Sequence, residues 1–242
     1  MGEAFLWGLL AASTLVVGAA VAIVRPPDRH TLGLVLGFGA GVLLSAVSFE
    51  LVEKAAQTSA GSGGTAVGFF AGSLTFVAGD WAIDRLDRPA AGGGAGPSAS
   101  GLAILLGTVL DGVPESAVLG LTVLESGEVG VAMLVAVLVS NVPEAIAATA
   151  GLRRGGWSAG KLLALWSLTA VGSGAAAALG YGLLADASGW LLAFVLAFAG
   201  GAILAMLSTT MMPEAYESGG RAVGLVTTFG FATAFGLNWW AG

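Results

Sequence analysis

Eight stretches of this chain are apolar for long enough to cross about 30 Å of hydrocarbon, which takes about 20 residues of helix. They lie near 4–24, 31–52, 64–83, 99–124, 129–150, 160–184, 189–211 and 221–240. Lipid offers no partner for a backbone amide or carbonyl, so such runs predict an all-α, polytopic membrane protein with one transmembrane domain over 1–242. Composition agrees: 56% of the residues are hydrophobic and 10% charged, whereas a soluble domain carries about 25% charge to wet its surface. With no cysteine, disulfides, thiolate metal sites and cysteine nucleophiles drop out. The net charge of -6, from 15 acidic against 9 basic residues, has the wrong sign for a nucleic-acid partner. Met1-Gly2-Glu3 lacks the cationic start of a signal peptide, so the first run is read as a span.

Lysine and arginine collect in cytoplasmic connections because translocation penalises them. Arg25 and Arg29 fall in the first connection, Arg85 and Arg88 in the third, Arg153, Arg154 and Lys161 in the fifth, and Arg221 in the seventh. Only Lys54 falls on the other side. This alternation predicts eight spans in a cell membrane with both termini extracytoplasmic. The Gly- and Ala-rich stretch 86–98 has no apolar periodicity and is expected to be a flexible cytoplasmic linker.

Two internal echoes stand out. The fourth and fifth spans each hold Val-Pro-Glu, in Asp111-Gly112-Val113-Pro114-Glu115 and Ser140-Asn141-Val142-Pro143-Glu144. The second and seventh share Phe38/Phe198, Gly41/Gly201, Leu44/Leu204, Ser48/Ser208 and Ala55/Ala215 at one fixed offset. Both pairs of spans are antiparallel in the expected topology, and inverted repeats with interrupted helices characterise secondary transporters.

Asp111 lies about 18 Å into its span, near the middle of the slab, and Asn141 and Glu144 reach similar depth from the other side. A carboxylate there costs a few kcal/mol even on lenient insertion scales, and no lysine, arginine or histidine is expected at that depth. A bound cation supplies the missing charge. Asp111 and Glu115 are one helical turn apart, as are Ser140 and Glu144, so each pair shares a face. Pro114 and Pro143 leave the Leu110 and Val139 carbonyls without an amide donor. Three carboxylates, an amide, a hydroxyl and loose carbonyls make an oxygen-rich set that suits a divalent metal.

The two Val-Pro-Glu helices resemble the fourth and fifth spans of the ZIP (Zrt-, Irt-like protein) family of metal transporters, whose motif there is His-Asn-x-Pro-Glu-like. The likeness extends to the eight spans, the outside termini, the long connection before the fourth span, and the Ser48-Phe49-Glu50 and Pro213-Glu214-Ala215 endings of the second and seventh. It implies inverted repeats in a 3+2+3 arrangement, and import of a divalent metal into the cytoplasm between the fourth and fifth helices. Glu115 and Glu144 match the family glutamates, and Asn141 matches the second polar position of the fifth-span motif. Asp111 stands where histidine is usual, Gly112 where asparagine is, and Ser140 where histidine or glutamine is. A single metal site is therefore expected over a binuclear one. The resemblance puts zinc first, ahead of manganese, iron and cadmium; an all-oxygen set would favour manganese, magnesium or calcium. The metal is cargo, and no cofactor is expected.

Around that centre, Ser45 and Ser48 on the second span and Ser208, Thr209 and Thr210 on the seventh are candidates for a polar path, or for bonds to their own helix backbone. Glu50 and Glu53 are candidates for attracting cations at the outer end. Glu214 and Glu217 follow the seventh span, where they assist release or pair with arginine. His30 sits in a loop, and Trp166 lies deep with no evident role. Gly172-Ser173-Gly174 suits close packing within the bundle or across a homodimer. Two other functions remain open: an intramembrane hydrolase, although the His-Glu-x-x-His helix of a metalloprotease is absent, and a scaffold that has lost metal binding.

Overall fold

The computed structural model describes residues 1–59, 61–87, 112–113, 115–124, 127 and 129–241. Within them the elements are all helices. They are α1 (Gly2–Val24), α2 (Arg29–Ser59), α3 (Gly64–Asp87), α4 (Glu115–Leu124), α5 (Val131–Arg154), α6 (Ala159–Leu183), α7 (Gly189–Gly219) and α8 (Ala222–Ala241). Seven are long and apolar enough to cross a membrane, and α4 is a shorter apolar helix. The chain is thus a multi-pass membrane protein of helices. Residues 99–111 of the expected fourth span, with Asp111, lie outside the described residues, as does Pro114. So do 88–98 of the expected linker, while its first two residues complete α3.

Local chemistry sets several helix starts. Asp28 caps α2 by accepting from the Thr31 amide at 2.9 Å, and Ser158 and Ser188 cap α6 and α7 the same way. Gly220, with φ of 65°, takes the left-handed turn between α7 and α8. Both α2 and α7 are longer than hydropathy predicts, and both change winding on the way. Residues Val47–Glu53 of α2 and Leu207–Met211 of α7 are π-helical, starting 160 positions apart, which is also the spacing of Phe38 and Phe198.

Glycine decides which helices touch. Gly64, Gly68 and Gly72 of α3 face Trp190, Phe194 and Phe198 of α7 in the same order, so these helices run parallel. Gly33 of α2 faces Gly219 at the end of α7, and Gly37 and Gly41 face Val223 and Thr227 along α8, so α2 and α8 also run in parallel. Contacts repeat in matched fashion. A methyl on Gly72 would strike the Phe198 carbonyl, as one on Gly230 would strike that of Phe38; Gly201 stands against the Phe69 carbonyl as Gly41 does against that of Thr227. Gly200 faces Val47 and Val52 whereas Gly39 faces Met211, so α2 and α7 run in opposite directions. Lipid is as apolar as leucine, so this close packing, rather than transfer out of water, is what favours association.

Large apolar side chains also face outward: Phe70, Leu74 and Leu225 are 67%, 69% and 78% exposed, a surface fit for acyl chains and unfit for water. Inside, Leu43, Leu119, Leu121, Met133 and Leu207 are fully buried in one cluster joining α2, α4, α5 and α7. Gly174 of α6 packs on the Phe5 carbonyl of α1, while nothing lies near the Cβ position of Gly172.

Candidate metal site

Pro143 sits inside α5 without ending it, and Ser140, Asn141 and Glu144 all belong to this helix. Asn141 is buried, and its Nδ2 donates to the Ala11 carbonyl of α1 at 3.1 Å. A carbonyl can only accept, so this bond fixes the amide and turns Oδ1 away from α1. Glu115 of α4 is 2% exposed; Glu144 is half-buried.

Glu115, Asn141 and Glu144 line one cavity of about 430 Å³, which Thr210, Met211 and Glu214 of α7, Arg154 of α5 and Trp166 of α6 line as well. Trp166 is buried, and its Nε1–H donates to Thr149 Oγ1 at 2.8 Å, bracing α6 against α5 beside the cavity. Hydropathy left this residue without a role because its partner lies on another helix. Gly112, at the cavity rim, leaves the space that asparagine would fill in the resembling motif.

The cavity adjoins a second space. A second chamber of about 620 Å³, lined by Arg29, Arg153, Arg154 and Glu217, shares Ala147, Arg154 and Glu214 with the first. From Glu144 the space thus continues toward the arginine-rich end of the bundle. Toward the opposite end, Val118, Leu119 and Leu121 of α4 pack with Met133 and Val137 of α5 in the apolar core. Beyond that core, a chamber of about 500 Å³ is lined by Phe49, Glu50, Glu53, Lys54, Gln57, Phe235, Asn238 and Trp239.

The remaining candidates sit apart from the 430 Å³ cavity. Ser140 is fully buried and donates to the Val137 carbonyl at 3.3 Å. Ser48 and Ser208 each donate to the carbonyl four residues back, Leu44 and Leu204, both at 2.8 Å. Ser45 is buried within α2. Glu50 faces the 500 Å³ chamber instead. From α7, Met206, Thr210, Met211 and Glu214 line the cavity with Glu115 and Glu144, so of the seventh-span hydroxyl candidates it is Thr210 that reaches it. Among the described residues no group of three or more histidine, cysteine, aspartate or glutamate side chains converges to hold a metal ion. The third expected carboxylate, Asp111, is outside them. What lines the cavity is three carboxylates, Glu115, Glu144 and Glu214, with the Asn141 amide, the Thr210 hydroxyl and the Arg154 guanidinium, inside an apolar bundle. Comparison with known proteins adds no relative: neither a family model nor a curated protein matches this chain.

Proposed function

We propose that the protein imports a divalent metal ion, zinc or a similar one such as manganese, iron or cadmium, into the cytoplasm through the site between α4 and α5. The observation that carries this reading is the convergence of Glu115, Glu144 and the oriented Asn141 amide on one cavity inside a lipid-facing bundle. Carboxylate and amide oxygens are the donors that hard divalent ions accept, and they stand here in a cavity that Arg154 and Glu214 also line. Asp111, one turn before Glu115, completes the set in this proposal, and Thr210 adds a hydroxyl.

The adjoining chambers fit a conformation in which the cavity continues toward the arginine-rich end, which the positive-inside rule assigns to the cytoplasm. With it go eight spans, extracytoplasmic termini in a cell membrane, and a 3+2+3 inverted repeat in which α1–α3 correspond to α6–α8. Matched π segments and matched glycine contacts support that correspondence. A resemblance to the ZIP family supports the same reading through its two Val-Pro-Glu motifs.

Uptake into proteoliposomes across a panel of zinc, manganese, iron, cadmium and magnesium tests it. Wild type should carry at least one metal about tenfold faster than Glu115→Ala and Glu144→Gln, the loss expected when a charge-bearing ligand is removed. Equal uptake by wild type and Glu115→Ala overturns the proposal.

A further inference from the structure

We propose that the arginine-lined chamber among α1, α2, α5 and α7 binds the phosphorylated headgroup of a membrane phospholipid. The proposal stands independently of metal transport. Arg29 enters from α2, and Arg153 and Arg154 enter from the end of α5, around a space of about 620 Å³. A guanidinium presents a planar fork of donors that matches phosphate oxygens. Arg154 is held along α5 by a bond from its Nε to the Ala150 carbonyl at 3.2 Å, and Ser218 contributes a hydroxyl to the wall. Asp28 already occupies the first turn of α2, so the guanidinium groups, not the helix terminus, are the anion's ligands.

Two features favour a lipid over a free anion. Ala22, Ile23 and Leu32 give the same chamber an apolar side suited to a glycerol and the start of an acyl chain. Its position, where α1 and α5 end and α2 begins, is the depth at which headgroups lie. Glu214 and Glu217 face the chamber as well. They offset two of the three cations, and they offer acceptors to the hydroxyl or amine that a phospholipid carries beyond its phosphate.

The test is thermal unfolding of the intact protein in detergent, titrated with phosphatidylglycerol, phosphatidylcholine or inorganic phosphate at constant ionic strength. A ligand that binds only the native state raises the midpoint in a saturable way. Phosphatidylglycerol should saturate, and R153Q/R154Q should shift its half-point about tenfold upward, the effect of losing charge-assisted bonds. R153K/R154K keeps the charge and loses the fork, so it should weaken binding about threefold and gives a second readout if the glutamine pair fails to fold. Arg85 stacks over Trp81 at 3.6 Å on α3 and does not line the chamber, so R85Q should leave the half-point unchanged. The proposal is overturned if neither chamber variant weakens binding, if R85Q weakens it equally, or if inorganic phosphate saturates the shift as well as the lipid does.

Discussion

Helices α2 and α7 both pass from α to π winding, at Val47 and at Leu207, and both carry polar residues just beyond that point. In α2 these are Glu50, Lys54 and Gln57, lining the 500 Å³ chamber; in α7 they are Thr210, Glu214 and Glu217, lining the chambers of the arginine-rich end. Each pair is 160 positions apart. A π segment inserts one extra residue per turn and so re-aims whatever follows it. Because the two helices run in opposite directions, the same local device furnishes polar walls at opposite ends of the bundle. What differs is charge. Lys54 occupies the register position of Glu214, and only the α7 side reaches Glu115 and Glu144.

The largest expected effect probes whether the matched contacts are equivalent. Gly41→Ala and Gly201→Ala each drive a methyl into a backbone carbonyl that cannot yield as a side chain would. Each should cost about 2–3 kcal/mol in reversible unfolding, and a difference between them above about 1 kcal/mol would break the equivalence. Next comes charge. Glu214→Lys, which gives α7 the residue α2 carries, should slow metal uptake more than about tenfold by repelling the cation, whereas Lys54→Glu should change it less than about threefold. Equal effects would mean that the two ends contribute alike.

Helix caps sharpen the comparison further. Asp28 and Ser188 are also 160 positions apart and cap the two helices. Ser188→Ala should cost about 1 kcal/mol at any pH. The Thr31 amide and hydroxyl hold the Asp28 carboxyl below the usual carboxylate range. A lowered folded value means the Asp28 contribution is complete above the ordinary carboxylate pKa and fades as pH falls through the folded one. Thermal midpoints of wild type and Asp28→Ala should therefore converge in acid, while those of wild type and Ser188→Ala stay apart. Smallest of all, Ser48→Ala and Ser208→Ala remove bonds to the carbonyl one turn toward the amino end of the same helix and should each change stability by less than about 0.5 kcal/mol.

Much of this architecture was readable from hydropathy. Spans expected at 4–24, 160–184 and 221–240 are found as Gly2–Val24, Ala159–Leu183 and Ala222–Ala241. Expected ends at 52 and 211 fall short of Ser59 and Gly219, because the extra turns carry Glu53, Lys54, Glu214 and Glu217 and do not read as apolar. The π winding was not readable at all, since it adds a residue without altering composition; only the fixed spacing of the repeated residues hinted that the helices match. For the candidate site, Glu115, Asn141 and Glu144 were legible as polar residues inside apolar runs, and they share a cavity; that Arg154 from the end of α5 lines it too was not legible, because the sequence put no cation at that depth. The hydroxyls were not, because whether Ser48 or Ser208 faces a path or its own helix depends on a rotamer, which spacing does not encode.

The contacts of α3 with α7, and of α2 with α8, put glycine directly against backbone carbonyls along their length. At Gly72, Gly201, Gly41 and Gly230 the opposing atom is a carbonyl oxygen and not the end of a flexible side chain, so sliding at these points brings backbone against backbone. In the proposed transporter, exposing Glu115 and Glu144 to the other face would move α3 with α7 and α2 with α8 as packed pairs, and α1 would follow α5 through the Asn141–Ala11 bond.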